Sequence, residues 1–121
     1  MDSILSVDLG TTAIKVMLFE TNGNVLAKST QEYTLLTPSA LAVELPVEAY
    51  WEAFKRGLAE LLSASKADLS QIQVIGISAQ GETLIAVDKQ GSPLTNAIVW
   101  LDNRAQDEAA TLAKHFTNEK A

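Results

Sequence analysis

Two short apolar runs, residues 4–7 and 14–19, are separated by Asp8-Leu9-Gly10-Thr11-Thr12, a gap that allows little except a tight polar turn between two strands. Thr21-Asn22-Gly23-Asn24 supplies a second turn, because Gly and Asn tolerate positive φ, and residues 25–33 resume as an extended segment rich in Thr, Val and Tyr. A three-stranded antiparallel meander is therefore expected at the start of the chain. Residues 34–44 show no clear period, and Pro38-Ser39 suggests a surface loop.

The period then changes. Pro46 suits the first turn of a helix, and Val47, Tyr50, Trp51, Phe54, Leu58, Leu61 and Leu62 recur on one face at 3.6 residues per turn, with Trp51 and Phe54 expected in the core. After a polar connection over residues 63–70, Ile72, Val74, Ile75 and Ile77 form a nearly continuous β-branched run, the pattern of a strand covered on both faces. Residues 84–87 and 97–100 predict a hairpin or looser β excursion around Asp88-Lys89-Gln90-Gly91-Ser92. Asp102 is placed to cap a last helix in which Ala105, Ala109, Leu112, Ala113 and Phe116 share a face.

Three strands, a helix, a buried strand, a β excursion and a helix make a mixed α/β pattern. A strand reached through a crossover helix returns parallel to the first, and ligands of such sheets gather at the carboxyl ends of the parallel strands. Asp8 and Gln80 fall at those ends.

With 121 residues the chain fits one small domain, burying about two-thirds of the surface it exposes when unfolded. A net charge of -6 argues against a nucleic acid partner, and no stretch approaches the roughly 18 apolar residues of a membrane span. Without cysteine there is no disulfide, thiol nucleophile or thiolate metal site. The start Met1-Asp2-Ser3 lacks a basic and apolar leader, so a cytoplasmic location is expected. His115 has no partner at ligand spacing and is assigned no catalytic role.

The turn after the first strand is a candidate anion site. Gly10 lets backbone amides approach a phosphate, Thr11 and Thr12 offer hydroxyls, and Lys15 brings a positive charge. Asp8 has the wrong sign for a phosphate unless a hard cation such as Mg²⁺, keeping several waters, lies between them. The same residues also suit a plain hairpin turn in which Asp8 and the threonines bond local backbone. Glu82 reads equally as a solvated turn carboxylate, Trp100 as a core indole, Asp102 as a cap alone and Arg104 as a first-turn surface residue.

Asp8-Leu9-Gly10-Thr11-Thr12 with Lys15, the segments over residues 75–83 and 96–105, and Glu44 with Pro46 and Trp51 together resemble the N-terminal part of the FGGY family of carbohydrate kinases, within the actin, hexokinase and Hsp70 ATPase superfamily. The resemblance covers nearly the whole chain. It implies a ribonuclease-H-like α/β subdomain with a mixed, incomplete sheet, residues 1–121 being the N-terminal part of a kinase domain in a longer chain. It further implies ATP-dependent phosphorylation of a sugar or polyol hydroxyl, with Asp8 acting on Mg²⁺ and Gly10, Thr11, Thr12 and Lys15 handling the phosphates of ATP. Gln80, Gly81, Glu82, Trp100 and Asp102 fall where this family faces or flanks its sugar. Xylulokinase-like members carry Met-His after the glutamine and glycerol kinases Arg-Glu, so Glu82 fits the latter and Gly81 neither. The base that takes the acceptor's proton is expected beyond Ala121, leaving no catalytic residue in this chain and little turnover from it alone. An incomplete sheet also exposes an edge beside residues 72–78, where a second copy of the chain could pair. The competing function is a non-catalytic small-ligand or protein-binding module that keeps the hairpin as structure. A metal nuclease needs several carboxylates around two metals, and Asp8 alone is so placed.

Overall fold

A computed structural model describes residues 2–65 and 68–116. The meander forms as expected: β1 (Ser3–Leu9), β2 (Ala13–Glu20) and β3 (Val25–Glu32) pair antiparallel in sequence order. The second turn closes through Gly23 at φ +94° and the Glu20 carboxylate, which accepts from Asn22 and Asn24. Beyond β3 the chain crosses to the other edge of the sheet, and residues 72–79 return parallel to β1, giving the order β3-β2-β1 and then this strand.

The crossover contains two elements. β4 (Glu44–Leu45) is a two-residue strand at the end of the stretch expected to be loop, and α1 (Val47–Ser65) follows it, with the Pro46 carbonyl accepting from Ala49. The returning strand is β5 (Ile72–Ala79), entered from a short 3₁₀ turn over Leu69–Gln71 that Asp68 caps through Ser70.

The core lies between α1 and the β1–β2–β3 face. Leu5, Val7, Ile14, Val16 and Leu18 from the sheet meet Ala53 and Leu61 from the helix, all of them buried. Gly57 sits among them because an added Cβ would lie 3.0 Å from Val16 Cγ2 and 3.3 Å from Gln31 Cγ, so the helix approaches the sheet closely there. The helix therefore buries a stripe of small residues and Leu61, rotated from the bulky stripe that the sequence suggests. Phe54 packs at the core's margin, whereas Trp51 is 60% exposed, correcting its expected place in the core.

A second correction concerns β5. Val74, Ile75 and Ile77 are exposed, Ile77 to 69%, instead of covered on both faces. The reason is geometric: α1 lies over β2 and β3, as the neighbours of Gly57 show, and does not reach β5. Register with Leu5, Val7 and Leu9 puts Ile75, Ile77 and Ala79 on the helix side, where they line an apolar groove of about 580 Å³ shared with Tyr50, Trp51 and Phe54.

The remaining segments form a small layer beside the sheet. β6 (Ala97–Ile98) pairs antiparallel with β4, and single bridges add Leu36 on one side and Leu84 on the other. Residues 84–87 are thus not a regular strand, and the looser of the two expected forms is found: single bridges join Leu84 to Ile98 and Val87 to Pro93 around the turn that Asp88 N–H closes on the Ser92 carbonyl. α2 (Gln106–Ala113) starts later than expected, with Ala105 at its N-cap position and no side-chain cap, so Asp102 does not cap it. None of its residues is buried, and Leu112 and Phe116 are exposed rather than packed. Among the described residues no helix is long and apolar enough to cross a membrane.

Helix packing is checked by paired truncations. Leu61→Ala, at a fully buried position, should cost about 3 kcal/mol in urea unfolding, whereas Trp51→Ala should cost less than about 1 kcal/mol. Equal losses would return Trp51 to the core.

Candidate functional site

The parallel pairing places the ends of β1 and β5 side by side. Asp8 is in register with Ser78 and Leu9 with Ala79, and the ladder continues one step further as Gln80 N–H donates to the Leu9 carbonyl at 2.9 Å. The two turns that leave these strands, residues 10–12 and 80–83, are neighbours for that reason.

The first turn is closed by Gly10 N–H donating to the Ala13 carbonyl at 3.0 Å. A Cβ at Gly10 would lie 2.7 Å from that same carbonyl oxygen, so the turn requires glycine. Tyr33 holds the turn from outside: its hydroxyl donates to the Gly10 carbonyl and its N–H to the Thr12 carbonyl. The N–H groups of Thr11 and Thr12 have no acceptor among the described residues, and these two successive donors at the turn's tip suit an anion. Asp8 and Lys15 are cross-strand partners at the turn's base, on the face away from α1, with Nζ and Oδ2 3.8 Å apart and both side chains about half exposed. Such an exposed pair contributes little to stability and leaves the carboxylate free for another partner.

The second turn is strained. Glu82 has φ +65°, and Thr83 N–H donates back to the Gly81 carbonyl at 2.9 Å, an i to i+2 bond of the γ-turn type that non-glycine residues rarely adopt. The Thr83 hydroxyl accepts from Trp100 N–H at 3.2 Å, which ties the turn to the segment after β6. Behind it, Gln80 Nε2 donates to the Tyr50 hydroxyl at 3.0 Å, while the buried Oε1 of Gln80 has no hydrogen-bond partner. Tyr50 in turn meets Tyr33 edge to face at 5.3 Å. The two tyrosines thus brace both turns from beneath, a role the sequence reading missed because Tyr50 lies in an apolar helical stripe and Tyr33 at a strand end.

Trp100 closes the space between the turns. Its indole Nε1–H donates to Thr11 Oγ1 at 2.8 Å, and with Thr11, Gln80, Gly81 and Glu82 it lines a cavity of about 420 Å³, within the range of small-molecule sites. Trp100 is therefore neither core nor free surface: it is half exposed, with its ring on the cavity. Gly81 contributes space rather than contact, since a Cβ there meets nothing within 4 Å.

Asp102 does not line this cavity. Its side chain is only 4% exposed and is committed to Arg104, in a bidentate ion pair with a closest approach of 2.8 Å, and to Val43 N–H at 2.6 Å. Arg104 also reaches Glu44 at 2.7 Å, and Glu44 accepts from Asn96. The Arg104 guanidinium, helped by the Arg104 and Val43 N–H groups, holds the Asp102 carboxyl well below the usual carboxylate range. Asn96 and then Arg104 lower Glu44 in the same direction. This cluster fastens residues 41–45 to residues 96–104, and with them the backbone that carries Trp100. Arg104 is thus a structural ion-pair residue rather than a lone surface charge.

The donors fit an anion at the first turn. Among the described residues no group of three or more potential ligands is assembled for a metal. Asp8 alone fits the habit of Mg²⁺, which takes one or two carboxylates and completes its shell with water and phosphate oxygens.

This mixed sheet with its helix and two neighbouring turns has an actin- or hexokinase-like arrangement. Residues 3–121 match the FGGY family of carbohydrate kinases, N-terminal domain, and the chain belongs to that family. A glycerol kinase of Aquifex aeolicus is 37% identical over 116 residues, 95% of this chain and 23% of its own length. Among solved structures, a xyloylose kinase from Brucella ovis superposes with a TM-score of 0.89 at 26% identity, over 93% of this chain and 24% of that one. Plasmodium falciparum glycerol kinase with ADP gives 0.86 at 26% identity, over 98% of this chain and 24% of that one. The chain spans about a quarter of the length of these relatives.

Burial, reinforced by the neighbouring Tyr50 and Asp8, raises the Tyr33 phenol to about 12. The neutral phenol is therefore the form that the fold favours. Its contribution to stability is complete below the unfolded value of about 10 and is lost as pH rises towards the folded value. Phenolate absorbance should show a midpoint near pH 12 that Tyr33→Phe removes; the same absorbance change near pH 12 in Tyr33→Phe would contradict the assignment to the part-buried Tyr33–Gly10 contact.

Proposed function

We propose that this chain supplies the phosphate-facing and acceptor-facing wall of an ATP-dependent kinase acting on a sugar or polyol hydroxyl. The observation that supports this reading is the single cavity to which the β1–β2 turn brings Thr11 and the β5 turn brings Gln80, Gly81 and Glu82, with Trp100 across its mouth. Phosphoryl transfer requires donor and acceptor held in line with their charge compensated, so a site of this kind needs an anion turn and a hydroxyl-reading turn side by side.

On this reading Gly10, Thr11, Thr12 and Lys15 hold the terminal phosphates. The free N–H groups and hydroxyls donate to phosphate oxygens, and Lys15 offsets their charge. Asp8 holds Mg²⁺ through water, and bound Mg²⁺ supplies neutralisation of the phosphate charge. Glu82 accepts from acceptor hydroxyls, while the exposed face of Trp100 packs on its C–H surface. Asp102 acts at one remove, through the backbone that carries Trp100. Because the relatives are about four times longer, the base for the acceptor's proton and the adenosine contacts are proposed to come from residues beyond these 121.

The test is ADP release by the product of the native reading frame, assayed with glycerol, pentuloses and gluconate as acceptors. Asp8→Ala should reduce turnover about 100-fold or more, while stability changes by no more than about 0.5 kcal/mol, because the Asp8–Lys15 pair is exposed. A hairpin kept only as structure would instead lose stability, with no acceptor-dependent ADP release at all.

A further inference from the structure

The Trp100–Thr11 hydrogen bond joins a residue of the acceptor side to a residue of the phosphate side across 89 positions of sequence, at 2.8 Å. Its chemistry is unambiguous. An indole N–H can only donate, so the Thr11 hydroxyl is the acceptor, and a threonine hydroxyl has one proton of its own to give. With one lone pair taken by Trp100, that proton is left for another oxygen, and Thr11 lines the cavity together with Trp100.

We propose that Trp100 is a positioning residue for Thr11: it sets the Thr11 hydroxyl as a donor into the cavity, towards a phosphate oxygen. The inference rests on the kinase reading and adds a second task for Trp100 besides contact with the acceptor. Three features hold the indole for it. Trp100 N–H is anchored on Thr83 Oγ1, the Val99 N–H donates to the Val43 carbonyl at 3.0 Å, and the Arg104 cluster fixes the strand pair below. Thr11 is held equally firmly, since the turn that bears it is closed by Gly10 and clasped by Tyr33.

The arrangement also couples the two ligands. Any acceptor that settles on the Trp100 ring restrains the indole in the position that orients Thr11, and linkage requires the reverse effect to be equal. Glycerol should therefore tighten Mg²⁺–ATP binding in the wild type and do so less in a variant without the indole N–H.

The experiment uses two probes, Mg²⁺–ATP and glycerol, and the product of the native reading frame in four forms: wild type, Trp100→Phe, Thr11→Val and Thr11→Ser. In ¹H–¹⁵N spectra the Trp100 indole resonance should move in Thr11→Val and stay near its wild-type position in Thr11→Ser, which keeps the acceptor oxygen. By calorimetry Trp100→Phe should bind Mg²⁺–ATP about threefold to tenfold more weakly, the equivalent of one neutral hydrogen bond. Thr11→Ser should retain wild-type Mg²⁺–ATP affinity. An indole resonance that ignores Thr11→Val, or Trp100→Phe binding Mg²⁺–ATP as tightly as wild type, overturns the positioning role while the kinase reading stands. A wild-type protein that binds neither probe overturns the kinase reading and the positioning role with it.

Discussion

Everything at the site follows from the parallel pairing of β1 with β5. Antiparallel neighbours such as β1 and β2 put opposite ends together, so a meander alone places one turn at each end of the sheet. Only a strand returning through a crossover sets a second exit beside the first. Here the crossover contains α1, and the helix's close approach at Gly57 is what allows it to lie flat across β2 and β3. The continued ladder from Gln80 N–H to the Leu9 carbonyl then fixes the separation of the two turns to within one hydrogen bond.

The second layer supplies the cavity's third wall, and apolar burial is only part of what holds it. Leu45, Ala97 and Val99 are fully buried and give residues 36–45 and 84–104 a small apolar centre, but the two-residue strands and single bridges around it add few backbone bonds. The Glu44–Arg104–Asp102 cluster does the rest, with Asp102 nearly inaccessible and its carboxylate oxygens shared between a guanidinium and backbone N–H groups. Removing one partner of such a cluster leaves a buried charge unpaired, which is costly. That arrangement accounts for an aspartate close in sequence to the site that does not face it.

The parts legible in the sequence were those with a strong local signal. The β1–β2 turn announced itself by composition, α1 by its 3.6 period, and β5 by a β-branched run after a helix, so the meeting of two turns at the strand ends could be read in advance. The stripe that α1 buries could not. Ala53 and Gly57 carry little hydrophobic weight, and Trp51 and Phe54 outweighed them, although backbone proximity and not residue size decides which face meets a sheet. The exposure of β5 was hidden for another reason: an apolar run reports that a strand suits burial, not which element covers it. The Leu36–Glu44–Ile98–Leu84 ladder has no sequence period at all, because each segment contributes one or two residues. Tyr50 counts towards an apolar helical stripe and Tyr33 ends an extended segment, and their hydroxyl tips, which fasten both turns, leave no pattern to detect.

The central claim is that one cavity between the two turns receives both a phosphate donor and a carbohydrate acceptor. A crystal structure of the product of the native reading frame, grown with glycerol and an unreactive Mg²⁺–ATP analogue, tests it most directly. The account predicts the terminal phosphate against the Thr11 and Thr12 N–H groups, Mg²⁺ on the Asp8 side, and the acceptor between Glu82 and the face of Trp100. Nucleotide bound elsewhere on the chain, or a cavity holding neither ligand at saturating concentrations, would contradict it.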